Sequence, residues 1–255
     1  MRYVSGEPNG YIFLRPKIRM TTSVTLPVPV VDDGKCNGCG KCKDICRFGA
    51  IAVLAGNAVV FEGLCRSCGG CGLVCPTGAI VERPKEIGVV EEGEGCGVAF
   101  VQGRLRIGEA VSPPLIREVK KRVPACGLAV VDCPPGTSCP VVESVRGTDF
   151  VLLVTEPTPF GLHDLTIAVE TVRALDVPFA VVLNRADVGD ERVHEYCRSE
   201  NIDIIGEIPD DRRIAEAYSR GFLVAEKLAD CKPLFHDLLL KVLAAVEHTR
   251  QGIAQ

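Results

Sequence analysis

Eight cysteines stand in two matched quartets. Cys36, Cys39, Cys42 and Cys46 recur 29 positions later as Cys65, Cys68, Cys71 and Cys75. The register extends beyond sulfur, because Gly49-Ala50-Ile51 returns as Gly78-Ala79-Ile80. A doubled C-x2-C-x2-C-x3-C run is the spacing by which a short chain wraps two four-iron clusters. Three cysteines on one tight loop reach three corners of a cube. The fourth corner is taken from the other run. The spacing therefore predicts one cluster on Cys36, Cys39, Cys42 and Cys75, and a second on Cys65, Cys68, Cys71 and Cys46. Gly38, Gly40, Gly69, Gly70 and Gly72 let those loops turn closely and aim N–H groups at sulfur. Pro76 follows the last cysteine of the second run, whereas Arg47 holds that place in the first. That difference bears on backbone shape more than on ligation.

Two other uses of cysteine compete. Zinc also takes paired C-x2-C elements, but usually across a longer spacer and without a third cysteine at the same interval. Disulfides belong to oxidising compartments. The start of the sequence has no apolar signal region, and no run approaches the ~18 uncharged apolar residues of a membrane span. A reducing cytoplasm is expected, where 14 cysteines imply metal or redox chemistry. With 255 residues, 47% hydrophobic and 24% charged, the chain has the make-up of one or two globular domains. A net charge of −4 asks for neither nucleic acid nor an anionic membrane as a partner.

Around the cysteines the elements change character. Residues 32–85 form one cysteine- and glycine-rich module, with Ala50–Leu54 and Ala58–Phe61 as hairpin strands. Before it, 11–14 is apolar and strand-like, and 24–31 alternates around two prolines as an extended linker does. After it, 98–107 reads as a strand pair around Gly103. Strands are expected at 128–132, 150–155, 179–183 and 202–205. Helices are expected at 114–123, 139–146, 164–175, 191–200, 211–220 and 232–247. Strands that are apolar throughout, alternating with helices, predict an α/β fold with a parallel sheet flanked by helices. Such sheets bind ligands at the carboxyl ends of their strands. Asp132, Asn184 and Pro209-Asp210 fall at three such ends.

These ends carry a resemblance. The turn Asp132-Cys133-Pro134-Pro135-Gly136 resembles the Walker-B and switch II element of MinD/ParA-type P-loop ATPases. Asn184, Pro209 and Asp210 are similar to the adenine-contacting residues of that superfamily. A cysteine module between Glu7-Pro8-Asn9 and Gly88-Val89-Val90 resembles the branch that carries an inserted bacterial-type, α+β ferredoxin domain. The phrases Pro134–Pro140, Thr155–Leu165 and Asn184–Asp187 fit that branch. The resemblance implies a MinD-like domain split into 1–31 and 86–255 around the ferredoxin module at 32–85. It also implies ATP with Mg2+, hydrolysis with Asp132 in the catalytic site, and a homodimer or a heterodimer with a P-loop-bearing paralogue.

The sequence has no K-G-G-x-G-K-[ST] loop. Its Gly34-Lys35 and Gly40-Lys41 pairs are each followed by a cysteine. Two readings cover this: a sequence that starts downstream of the loop, or a paralogue that keeps the clusters without the motor. The first predicts two strand edges where the loop's own strand is missing. The leading function is electron transfer with a redox protein partner. An ATPase completed by a P-loop from elsewhere and a cluster carrier are the alternatives.

Smaller candidates complete the reading. Cys139, seven residues after Asp132, resembles the ligand of a dimer-bridging cluster, with Cys96 as a second ligand; the plainer reading is packing. Cys133 is either redox-sensitive or a packing residue, and Cys126, Cys197 and Cys231 lie in core-like surroundings. His163 is expected to open a helix at the mouth of the site.

Overall fold

A computed structural model describes residues 2–5, 10–109, 111–123 and 127–253. The chain forms two compact units. The first comprises residues 1–8 and 17–130, the second 9–16 and 131–255.

In the first unit, β1 (Arg2–Ser5) precedes a helix of the second unit, α1 (Gly10–Leu14). The 15-residue β2 (Lys17–Val31) then leads to α2 (Lys41–Ile45), β3 (Ile51–Leu54), β4 (Asn57–Val60) and α3 (Gly70–Leu73). The chain returns along β5 (Ile80–Gly95), turns into β6 (Val98–Leu105), continues to α4 (Pro113–Lys120) and enters β7 (Ala129–Asp132). The sheet order is β2-β5-β6-β1-β7. It is mixed, because β1 runs parallel to β6 while β2, β5 and β6 are antiparallel neighbours.

The expected linker at 24–31 is thus a ladder strand. Its two prolines are tolerated because β2 is the edge strand and Pro27 faces Pro84 at a point where β5 has no second neighbour. The expected strand pair at 98–107 is one strand. Gly103 does not turn the chain: a Cβ there would lie 2.9 Å from Leu115 and 3.0 Å from Val119, so glycine lets α4 pack directly on β6. Phe100, Val101, Leu115, Ile116 and Val119 are buried.

The cysteine module hangs from the free end of the β2–β5 ribbon. β5 pairs with β6 only from Gly88 onward, so 80–87 run on with β2 as a two-stranded stalk. At about 3.3 Å per residue that stalk is roughly 25 Å long. The expected hairpin within the module is present as β3 and β4, paired Ile51↔Val60 to Leu54↔Asn57.

The second unit contains α5 (Cys139–Val145), β8 (Val151–Thr155), α6 (Pro159–Ala174), β9 (Phe179–Asn184), α7 (Arg192–Ser199), β10 (Ile204–Ile208), α8 (Arg212–Ser219), α9 (Val224–Lys227) and α10 (Lys232–Ile253). The sheet is β10-β9-β8, parallel throughout, as the continuous apolar runs require. Leu165 and Val169 of α6 and Val193 and Cys197 of α7 share a core with Val181 and Leu183. Val182 points to the opposite face. There, near Gly206, Leu238 of α10 approaches so closely that a Cβ on Gly206 would meet it at 2.9 Å. Both faces of this sheet are therefore covered.

Three boundaries differ from expectation. Residues 11–14 are helical; their apolar content serves packing, with Phe13 5.0 Å from the Tyr218 ring, and Arg15 ends the helix at φ +42. The last strand lies at 204–208, while Ile202 is a loop residue in the core. The helix expected from 164 starts at Pro159, capped by Thr158, whose Oγ1 accepts the Gly161 N–H at 3.1 Å. His163 consequently lies within α6 and does not open it. β7 is the terminal strand of one sheet and β8 of the other. Among the described residues, no helix is long and apolar enough to cross a membrane.

Candidate metal centre

The repeat in sequence is a repeat in backbone. Gly40 and Gly69 precede α2 and α3 with φ +79 and +74. Gly38 and Ser67 are also left-handed, at +66 and +55. Glycine at 38 is required twice over, since a Cβ there would run into the Gly56 carbonyl. Both short helices then carry a third cysteine, Cys42 or Cys71, and end just before the fourth.

The fourth cysteines are treated alike. Ala50 N–H donates to Cys46 Sγ at 3.3 Å, and Ala79 N–H donates to Cys75 Sγ at 3.3 Å. Ser67 N–H donates to Cys65 Sγ at 3.4 Å. Backbone donors aimed at sulfur stabilise thiolates and the negative charge of a cluster.

Cys36, Cys39 and Cys42 of the first run line one cavity together with Cys75 of the second. Thr77, Ala79, Val53, Ala58 and Ile80 complete its wall. Among the described residues, no three His, Cys, Asp or Glu side chains converge on a single ion. The four cysteines share the lining of one cavity instead. The donor set is all sulfur, with N–H groups directed at it and apolar walls behind it. These residues fit an iron–sulfur cluster. None of the eight cysteines is in a disulfide.

The thiols differ in electrostatics. Burial pushes the Cys42 and Cys71 thiols up from their ordinary range. The Thr77 hydroxyl, 3.7 Å from Cys75 Sγ, draws the Cys75 thiol down. Thr77 was not singled out from the sequence. The signal that could have found it is the break in the repeat, since its counterpart 29 positions earlier is Phe48.

The second unit carries a polar group at its strand ends. Asn184 ends β9 and pairs in register with Ile208 at the end of β10, which brings it beside Pro209 and Asp210. Asp210 N–H donates to Asp187 Oδ1 at 2.6 Å, and Ala186 N–H to the Ile208 carbonyl at 2.9 Å. Arg185, at φ +54, donates through Nε to Asp210 at 3.0 Å and through Nη1 to Glu156 at 3.4 Å. Arg185, Glu156 and Asp187 were missed because Arg185 reaches its partners only once β8, β9 and β10 are aligned. Asp132 ends β7, in the other sheet.

Of the remaining candidates, Cys139 starts α5 and Cys96 occupies the β5–β6 turn at φ +50; both are exposed. Cys133 Sγ donates to the Val131 carbonyl at 3.8 Å. Cys197 is a buried core residue. Cys126 and Glu7-Pro8-Asn9 lie outside the described residues.

Comparison with known proteins finds an iron–sulfur domain in this part of the chain. Residues 31–80 match the family described as 4Fe-4S dicluster domain. The chain is 30% identical over 204 residues to the uncharacterized protein MJ0579 of Methanocaldococcus jannaschii, covering 79% of this chain and 70% of that one. It is 29% identical over 108 residues to the iron-sulfur cluster carrier protein of Pyrococcus horikoshii, 36% of each chain. In three dimensions it is similar to the Pyrococcus furiosus cell division ATPase MinD. That match has a TM-score of 0.48 and 18% identity over 61% of this chain and 69% of that one.

Proposed function

The chain belongs to the family of the Methanocaldococcus jannaschii protein MJ0579, and on that premise we propose that it is an electron-transfer protein. It carries a 4Fe-4S dicluster domain. Two clusters are proposed, one held by Cys36, Cys39, Cys42 and Cys75, the other by Cys65, Cys68, Cys71 and Cys46. The supporting observation is the cavity in which three thiols of one repeat meet the last thiol of the other. When bound, a four-iron cluster accepts and releases one electron at a time. The chain's own residues supply thiolates, N–H donors to sulfur and apolar walls that limit water. The proposed organisation is a cluster module at 32–85 within a scaffold of 1–31 and 86–255, working in a reducing cytoplasm with a redox protein partner. Iron and acid-labile sulfide measured after anaerobic purification test it. About eight of each per chain are expected; zinc, or markedly less iron, overturns it.

A second reading has support at the strand ends. Asn184, Pro209 and Asp210 are gathered where a sheet of this kind takes its ligand. A nucleotide there needs a phosphate loop from a preceding segment or another subunit, as a homodimer or a heterodimer with a P-loop-bearing paralogue, and Asp132 would hold Mg2+. Equilibrium dialysis of Mg-ATP against this chain, alone and with such a subunit, tests it. No retention in either case overturns it. Cluster carriage is separated from electron transfer by incubation with an apo-acceptor. Clusters that stay bound through repeated reduction and oxidation favour transfer of electrons.

A further inference from the structure

The two cluster sites are matched in backbone and unmatched in side chains. The turn glycines, the short helices and the Ala50 and Ala79 donors repeat at an offset of 29. Ser67 N–H donates to Cys65 Sγ at 3.4 Å, whereas its counterpart Gly38, although left-handed as well, makes no described bond to Cys36. One side-chain difference lies beside the fourth cysteine. Thr77 places its hydroxyl 3.7 Å from Cys75 Sγ. The corresponding residue beside Cys46 is Phe48, which has no donor and whose ring instead lies 5.9 Å from the Arg66 guanidinium carbon.

A cluster-bound cysteine has no proton to give. Between Thr77 and Cys75 the hydroxyl must therefore be the donor. A hydrogen bond to sulfur strengthens as the cluster gains negative charge, so it favours the reduced state. Exposed charges stand beside both ligand sets, with Lys35 next to Cys36 in the first, and Arg47 next to Cys46 and Arg66 next to Cys65 in the second. Cys42 is flanked by exposed Lys41 and Lys43, offset in part by Asp44, where Cys71 is flanked by Gly70 and Gly72. Solvent screens all of these exposed charges, so they assign no direction.

We propose that Thr77 raises the reduction potential of the cluster closed by Cys75 and so helps to make the two sites inequivalent. This rests on the two-cluster reading above. Each step moves one electron from a one-electron reductant to a cluster, which goes from its 2+ to its 1+ charge; no bond breaks and no proton is required. Thr77 is a positioning residue, since it acts on the cluster through the Cys75 sulfur.

The test is an anaerobic dithionite titration followed by electron paramagnetic resonance. Wild type is compared with Thr77→Val, which keeps the shape and loses the hydroxyl, and with Thr77→Ser, which keeps the hydroxyl. Two reduction steps are expected in wild type. Thr77→Val is expected to lower one step and leave the other in place, and Thr77→Ser to restore the lowered one. If Thr77→Val loses iron, Phe48→Thr decides instead, and is expected to raise one step and leave the other in place. Iron-replete Thr77→Val superimposable on wild type, or a Phe48→Thr without effect, overturns the inference while leaving the two clusters intact. A wild type without an iron–sulfur signal overturns the reading beneath it as well.

Discussion

Val31 and Ile80 face each other on the last rung of the β2–β5 ladder. Just beyond them, Asp32 N–H donates to the Ala79 carbonyl at 2.7 Å. The whole cysteine module is thus closed at its base by two adjacent residues on one ribbon. A segment closed in this way can be lost without unthreading the sheet it hangs from. Replacing 33–78 by a short turn is expected to leave a cooperatively folded scaffold with no bound iron. Circular dichroism melts and iron analysis check both halves of that statement.

The shared ligand sets give a paired prediction. Cys75→Ser removes a ligand of the first site and Cys46→Ser a ligand of the second. Each is expected to lower iron by about four atoms per chain while the other site stays loaded. If both variants empty the same site, the crossed assignment is wrong.

Gly38 combines a left-handed φ of +66 with a carbonyl, that of Gly56, in the space a side chain needs. Gly38→Ala is expected to cost on the order of 1–3 kcal/mol in backbone strain alone. Iron loading is expected to fall at the first site and to be retained at Gly40→Ala, where a Cβ meets nothing within 4 Å and only the φ penalty applies.

In the second unit, burial separates what holds the fold from what decorates it. Leu183 is fully buried between β9 and the helices, so Leu183→Ala is expected to cost about 2–5 kcal/mol, read from urea midpoints. Arg185→Ala removes two exposed ion pairs and is expected to melt with wild type. Thr158→Ala removes the α6 cap and is expected to cost about 0.5–2 kcal/mol.

Acid dependence follows from a carboxylate at the start of α8. Hydrogen bonding by the Arg213 guanidinium holds Asp211 below its ordinary 3.8. A depressed folded-state pKa means that the unfolded chain binds the proton more readily. The stabilisation is fully present above pH 3.8 and is lost as pH falls through the lower folded-state value. Asp211→Asn is expected to reduce the urea midpoint at pH 7 and to converge with wild type well below pH 3.8.

The parts legible in the sequence were those with short-range causes. Ligand spacing, the hairpin at 51–60 and the parallel strands of the second unit are written in local pattern, because sulfur geometry and strand burial impose fixed periods. The apolar run at 11–14 was misread because four residues cannot separate a helical period from a strand. The stretch 24–31 was misread because proline disfavours a central strand but not an edge, and edges exist only once a sheet is assembled.

The sequence alone determined which atoms could bind metal and how they repeat, since those follow from residue type and spacing. Only the tertiary structure decided how the environments of those atoms differ. It set Thr77 against the Cys75 sulfur and turned Phe48 toward Arg66, and it gathered Arg185, Glu156 and Asp210 from three strand ends. The Phe48 and Arg185 contacts depend on register and side-chain direction across separate segments, which no local pattern encodes, whereas Thr77 lies two residues from Cys75 and meets its sulfur through the fold of one turn.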